Sequence, residues 1–377
     1  MEESSLKRRP KQKQYTLSSN PFENSTELQK RYFDDDNNFI DYFIEVGVNP
    51  IIFKQEILYQ SNKLEELEKL LKPQILSKFP SFDKRTVVVE DNMKNQIFPH
   101  GFHLIESIVK KEPYFYCLIL DNQLYSAIYP RKYLACLIIY ESIEQYKMLY
   151  DKYKSEGNND ANKKDIKKKK QYLKYKNYYI PKCLCLVSVH PYIDKYEEIL
   201  KTIYNLFSSG NYPSLFLDQI IEKMIIETPK IPRGLKKIVL KFPDNQIELT
   251  ETKMNEFPSV NVNLSYTFEL LSYNNIIEIY KYLLYETKLI FFSENLYNLT
   301  NTILSFIFLL TPFNYQFQIV SILSQELYSF IETISPFIFG INEKYSKNFF
   351  ANNKIIIGDT LCIIDIDSNA YYMELNI

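Results

Sequence analysis

Few residues in this chain could do covalent or metal chemistry, and their spacing decides what is open to them. Three histidines stand at His100, His103 and His190. His100 and His103 have ligand-like i, i+3 spacing, but no cysteine pair lies near them, and a structural zinc needs four convergent ligands. The five cysteines, Cys117, Cys136, Cys183, Cys185 and Cys362, are odd in number and irregular in spacing. That argues against a disulfide framework and for a reducing compartment. Cys183 and Cys185 are two apart on what reads as a strand, so both point to one face, as small apolar core residues do. No G-x-S-x-G occurs, and no cysteine has a His and Asn frame. His190, before Pro191, is either a base or the structural end of a strand. Asp34-Asp35-Asp36 and the pair Asp365 and Asp367 lie in polar or turn contexts that mark no acid–base pair. Neither G-x-G-x-x-G nor G-x-x-x-x-G-K-[ST] is present, and seven glycines in 377 residues leave little for phosphate loops. No cofactor and no metal is expected, and the chain reads as a binder.

The elements that would position a binding surface are easier to read. The length allows two ordinary domains. A formal net charge of -1 gives no whole-chain field for nucleic acid. The 32 Tyr and 26 Phe, with no Trp, read as nucleotide bias, so no single aromatic is a signal. The start, MEESSLKRRPKQKQ, has no apolar run of the secretory kind. The longest apolar stretch, Ile303 to Leu310, is far below the roughly 20 residues of a membrane helix. A cytoplasmic protein is expected.

Residues 1–35 are polar and form an expected tail. Strands are expected at 39–48, 87–89, 114–120, 124–129 and 132–140, with helices at 56–71 and 142–153. The stretch SEGNNDANKKDIKKKKQYLKYK opens the linker 155–177, too polar to offset ordering entropy. Its Lys run at 163–176 either touches anionic lipid or is simply solvated. Beyond it come a strand at 182–189, helices at 192–206 and 215–226, and a small hairpin or extended segment within 236–250 with Pro243-Asp244 in the turn. There follow a helix or strand at 266–271, a helix at 276–285, a strand at 289–293 and a helix at 296–310. Strands at 317–322 and 337–340 flank a helical turn at 327–332, and β-rich runs fill 355–366. Helices alternating with short strands point to α/β architecture, a sheet layered between helices.

The order of motifs in the second half resembles the central module of the DENN-domain family. IPKCLCLVSVHPY at 180–192 is similar to its entry strand, and MIIETPKIPRG at 224–234 to its helix end and Pro-x-x-Pro loop. FELLSYNNIIEIYKYLLYETKLIFFSENLYNLT at 268–300 resembles the family's helix, strand and Leu-Thr core. Tyr315-Gln316 stands at its Trp-Gln, and Ser335-Pro336-Phe337-Ile338-Phe339-Gly340 at its Thr-Pro-Phe-x-x-Gly. Ser321 and Ser324 stand where the family often has Pro, and CIIDIDSNAYYM at 362–373 resembles the strand that follows. Upstream, Phe39 to Val48, Phe98-Pro99-x-Gly101 and Tyr133 to Glu141 are similar to the family's upstream module. No downstream module is expected.

The resemblance implies an α/β fold in two lobes: a longin-like N-terminal α/β lobe and a C-terminal α/β lobe with a central sheet layered between helices. It divides the chain into an upstream module at 36–154, the linker, and a central module at 178–377. It implies a guanine-nucleotide exchange factor for a Rab-type small GTPase in vesicle trafficking, recruited from the cytoplasm to vesicle or endosomal membranes. The alternative is a DENN/longin scaffold that binds GTPases without exchange. Nucleic acid is not among the expected partners. The contact residues it suggests are Glu286, Lys288, Ser293, Asn298, Thr300 and Gln316; Ser293 and Thr300 could instead cap the helix after them. Phe291, Leu309, Phe313 and Phe337 are expected in the core.

Overall fold

A computed structural model describes residues 38–49, 71–81, 93–99, 101–107, 109–120, 131–142, 177–253, 255–256, 259, 261–342 and 360–374. The expectations for 1–35, 56–70, 87–89, 124–129, 143–153, 155–176 and 355–359 lie outside those residues. The strands are β1 (Tyr42–Gly47), β2 (Gln74–Phe79), β3 (Ile105–Glu106), β4 (Tyr114–Leu120), β5 (Lys132–Ser142), β6 (Tyr178–Ser188), β7 (Gly234–Lys241), β8 (Gln246–Glu251), β9 (Lys288–Phe292), β10 (Gln318–Val320), β11 (Phe337–Ile341), β12 (Leu361–Asp365) and β13 (Ala370–Glu374). The helices are α1 (Met93–Ile97), α2 (Ile193–Ser209), α3 (Ser214–Glu227), α4 (Leu264–Leu270), α5 (Tyr273–Leu284) and α6 (Leu296–Leu309), with a 3-10 helix at Gln325–Glu332.

One sheet runs through the described residues in the order β13-β12-β9-β11-β10-β4-β5-β6-β1-β2, with β3 beside β6. From β4 to β2 it is antiparallel, while β10, β11, β9 and β12 are parallel. The parallel strands KLIFF, FIFGI and LCIID are buried at every position. Continuous apolar runs of this kind are what a strand covered on both faces needs. Leu289 and Phe291 point into the main core, whereas Ile290 and Phe292 join Tyr328 and Ile331 of the 3-10 helix in a second, smaller one.

The halves meet at a narrow joint, the single register pair Val320–Leu120. Ser321, fully buried, closes it by accepting a hydrogen bond from Ile119 N at 2.8 Å. Helix α6 lies over the joint, packed on β4, β9 and β11. Its residues Leu299 to Phe306 are all buried. The apolar run read as too short for a membrane is thus part of a helix whose middle is enclosed by protein while both ends are only partly buried, which is the other use of a strongly apolar helix.

The boundary expected at residue 178 does not fall where the sheet divides. Strand β6, the first element after it, is an inner strand of the antiparallel half, between β5 and β1. A polar stretch marks where a chain leaves the core, which need not be where the core changes partners. Lys182 of β6 ties three of these strands, reaching Glu45 of β1 at 3.1 Å and Glu141 of β5 at 3.6 Å. Helix α2 packs on β5 and β6 and stops at Gly210, whose φ of 66° is the left-handed conformation glycine adopts without strain. Strands β7 and β8 form the expected hairpin, closed by Phe242 N on Asn245 O.

Candidate functional site

The parallel strands set the geometry. In open α/β sheets the loops after the carboxyl ends of the strands are where ligands and partners are met. Here those loops are stitched to one another. Asp367, after β12, accepts from Ser293 Oγ and from Glu294 N, each at 2.7 Å, and so holds the loop after β9. Asn342, after β11, donates through Nδ2 to Ser293 O at 2.9 Å and Glu294 O at 3.0 Å. Three loops from three strands therefore share two side chains. The loop then turns into α6, whose N-cap is Asn295: its Oδ1 accepts from Tyr297 N and Asn298 N. Removing Asp367 would leave a buried hydroxyl and an amide without their charged acceptor. An Asp367→Ala variant is expected to lose about 2 kcal/mol in urea denaturation, and Asp367→Asn about half of that.

Beside these loops a cleft of about 830 Å³ opens between α2 and α6 over the start of β4. Tyr114 and Phe115 form its base, Glu197 and Lys201 one wall, Tyr297 and Glu294 the other, with Asp367 and Asn342 at the end. Lys201 is spent on Glu197 at 2.6 Å, so the carboxylates of Glu294 and Asp367 give the rim an acidic cast. Burial pushes the Tyr297 hydroxyl above its ordinary value, an effect its hydrogen bond with Asn263 partly offsets. Burial likewise holds the Tyr114 hydroxyl well above the usual range. Both stay neutral; the Tyr297 hydroxyl, which accepts from Asn263, keeps its proton to donate, whereas that of Tyr114 is bonded to Tyr140.

The six residues expected at the contact surface divide between the two ends of the parallel strands. Ser293, Asn298 and Thr300 lie at or beyond the carboxyl end; Glu286, Lys288 and Gln316 lie at the amino end, some 15 Å away at about 3.3 Å per residue. Ser293 and Thr300 are buried, and their hydroxyls serve Asp367 and Leu296 O. Lys288 is also buried, in register with Leu361. Burial assigns these three to holding the loops and strands. Asn298 is half-buried and accepts from Tyr266 OH at 3.0 Å. Glu286 and Gln316 are exposed, Glu286 at φ 55° in the tight turn into β9. Asp367 and Asn342 had no local signal as organisers, because their partners lie tens of residues away in the chain. Phe291 and Phe337 are in the core, but Phe313 is 71% exposed, a correction: it follows the end of α6 in a turn, Phe313 N bonding Leu310 O, and points out of the packed layers.

The residues first weighed for chemistry are placed otherwise. All five cysteines are buried and free; burial pushes the Cys117, Cys136 and Cys183 thiols well above their ordinary value, away from the thiolate a nucleophile needs, while Cys185 is lowered to about 6, burial being outweighed by hydrogen bonds with Cys136 and Cys183. Cys136 and Cys185 face each other across β5 and β6, sulfurs 3.6 Å apart. Among the described residues no group of three or more His, Cys, Asp and Glu is arranged to hold a metal ion. Nor is any helix among them long and apolar enough to cross a membrane.

Comparison with known proteins adds the following. The family model described as DENN (AEX-3) domain matches residues 179–369, from β6 through the β12–β13 turn. A DENN domain-containing protein of Schizosaccharomyces pombe is 28% identical over 158 residues, 42% of this chain and 16% of that protein. The MAP kinase-activating death domain protein of Caenorhabditis elegans is 20% identical over 338 residues, 79% of this chain and 23% of its own length. The DENN domain and WD repeat-containing protein SCD1 of Arabidopsis thaliana is 21% identical over 193 residues, 51% of this chain and 16% of its own. The chain thus spans less than a quarter of each of these relatives.

Proposed function

Since this chain belongs to the DENN (AEX-3) domain family, we propose that it binds a Rab-type small GTPase across the cleft between α2 and α6 and promotes release of its GDP. The observation that carries the reading is the family match, because the matched residues supply both walls of that cleft and the stitched loops at its end. An exchange factor needs no reactive side chain. It must hold the switch segments of the GTPase away from the nucleotide, which requires only a higher affinity for the nucleotide-free state. A rigid rim with a donor at Tyr297 and carboxylates at Glu294 and Asp367 suits that task. Glu286, Asn298 and Gln316 stay in this reading as contacts outside the cleft, Glu286 and Gln316 at the far end of the parallel strands. The protein would act in the cytoplasm at vesicle or endosomal membranes, with the Lys-rich stretch 163–176 as a peripheral contact on the strength of its charge alone.

The test is release of fluorescent GDP from a panel of Rab GTPases, paired with binding of their nucleotide-free forms. Acceleration of at least one Rab is expected. Glu294→Lys should cut it by about tenfold, with unfolding unchanged, as expected for reversing a charge on the rim of the cleft. Binding without acceleration would make the protein a scaffold for GTPases. Binding to no nucleotide-free Rab would end the reading altogether.

A further inference from the structure

Helix α2 reaches the cleft through Glu197 and Lys201, and at its other end the chain turns through residues 210–213 into α3. Residues 202–217 carry no charged side chain. From Ser208 to Phe216 every residue but the half-buried Tyr212 is exposed. Leu215 is 68% exposed and Phe216 41%. Single apolar side chains on a surface are ordinary, but two adjacent ones held out of an uncharged turn are a mark of an interaction surface.

The turn is firmly built. Gly210 ends α2 at φ 66°, and Ser209 Oγ donates to Leu206 O at 2.9 Å and accepts from Asn211 N at 3.3 Å. Pro213 caps α3, its carbonyl accepting from Phe216 N and Leu217 N. The Tyr212 ring stacks on Phe216 with centroids 5.7 Å apart, and its hydroxyl donates to Asp244 Oδ1, in the β7–β8 turn, at 2.8 Å. Leu215 and Phe216 are thus presented in place, with little ordering left to be done on binding.

The second and independent observation is the charge beside the turn. In the β3–β4 loop Lys110 lays its ammonium over the Tyr204 ring, 5.3 Å from the centroid, which sets that loop against α2. Tyr204 lies about 7.5 Å before the end of α2 at 1.5 Å per residue. Lys111 follows, and Val109, 73% exposed, precedes. Lys110 and Lys111 are exposed, and neither makes an ion pair among the described residues. Of the acids close by, Glu112 follows the lysines in the chain and Asp244 is engaged by Tyr212. A protein partner would have to match the shape of such a tip. A bilayer need only take up apolar side chains and carry negative charge at its surface.

We propose that the α2–α3 turn is a contact with anionic membrane. Leu215 and Phe216 enter the interface, Tyr212 lies at headgroup level, and Lys110 and Lys111 meet the lipid charges. The contact belongs to the folded surface, is separate from the stretch 163–176, and holds whether or not a GTPase is bound.

The full chain is mixed with vesicles of phosphatidylcholine alone, or with about one-third phosphatidylserine, and bound protein is separated by flotation. Binding to the anionic vesicles is expected to be at least about tenfold stronger. Leu215→Ser combined with Phe216→Ser should weaken it by about tenfold or more, and Lys110→Gln combined with Lys111→Gln by about tenfold. Leu215→Ser alone should melt with the parent, because that side chain is largely in solvent, and lose about fivefold in binding. Insertion is read from Leu215→Cys carrying an environment-sensitive dye, which labels this position alone because the five native cysteines are buried. Its emission should shift to the blue on anionic vesicles and be quenched from within the lipid. Equal binding of the parent and the doubly substituted Leu215 and Phe216 protein would overturn the proposal and leave vesicle binding to 163–176. A dye that stays in water, or no binding to either vesicle, would overturn it as well. A concentration-dependent dimer abolished by Leu215→Ser would give the turn to a second copy of the chain instead.

Discussion

Gly340→Ala is expected to cost about 3 kcal/mol or more and to leave little soluble protein. A Cβ at Gly340 would sit 2.1 Å from Ser321 O, 2.9 Å from Ser321 C and 2.8 Å from Ile303 Cδ1. Two of those atoms are backbone and belong to the joint of the sheet. Leu323 N also bonds Gly340 O at 2.7 Å, so the segment from Ser321 to Leu323 is held against β11 and cannot retreat without losing that bond. The side chain of Ser321 meanwhile accepts from Ile119 N. The alanine methyl would push the junction apart and lift α6 at Ile303. Urea denaturation of whatever soluble protein is recovered measures the loss, and an unfolding midpoint equal to the parent's would refute the close approach.

Lys182→Met is expected to cost about 2–3 kcal/mol at neutral pH, toward the low end for breaking a buried pair because the side chain keeps 16% exposure. The variant would leave Glu45 and Glu141 with no cation between them. The pH dependence follows from Lys182 itself. Desolvation by burial pulls its affinity for the proton down, but the charges of Glu141 and then Glu45 outweigh it, so the folded value lies above the ordinary one. A raised value in the folded state means stability fully present below the unfolded pKa of about 10.4 and lost as pH climbs through the folded one. The gap between parent and variant should therefore be complete at pH 7 and shrink in strong alkali. Adding Glu45→Gln and Glu141→Gln to Lys182→Met should recover most of the loss, since no unpaired charge then remains. A gap independent of pH would mean that packing of the lysine stem, rather than its charge, does the stabilising.

How far these features could be read in advance depended on how local their causes are. Strands β9 and β11 were legible because short apolar runs beside turn residues are a local signal, and so was α6, ending before Thr311-Pro312. Helix α2 was legible from Tyr196, Ile199, Ile203 and Leu206 at helical spacing, all buried here. Strand β2 was missed: QILSKF is half-buried throughout at the edge of the sheet and shows no clean alternation. Strand β13 was read only as part of a motif, since Tyr371 and Tyr372 could be either face of anything. Phe313 was expected inside because hydrophobicity alone cannot say which side of a turn a ring leaves. At the candidate site the block around 293–300 was found, but Ser293 and Thr300 proved to be supports, and the cleft is lined by their neighbours Glu294 and Tyr297 together with Glu197 of α2, Tyr114 of β4 and Asp367. Asp367 shows the limit most plainly. Its partners are set by the parallel order of β9, β11 and β12, a topology that no spacing along the chain encodes.

The sheet has one further consequence through its joint. Ser321 brings to the joint a hydroxyl and a carbonyl that both carry load. In this chain its hydroxyl takes the Ile119 amide across the joint while its carbonyl rests on a bare glycine. The two halves are consequently not beads on a string. One register pair, the Ser321 hydroxyl and the buried middle of α6 bridge the division, so opening either half breaks packing that the other shares.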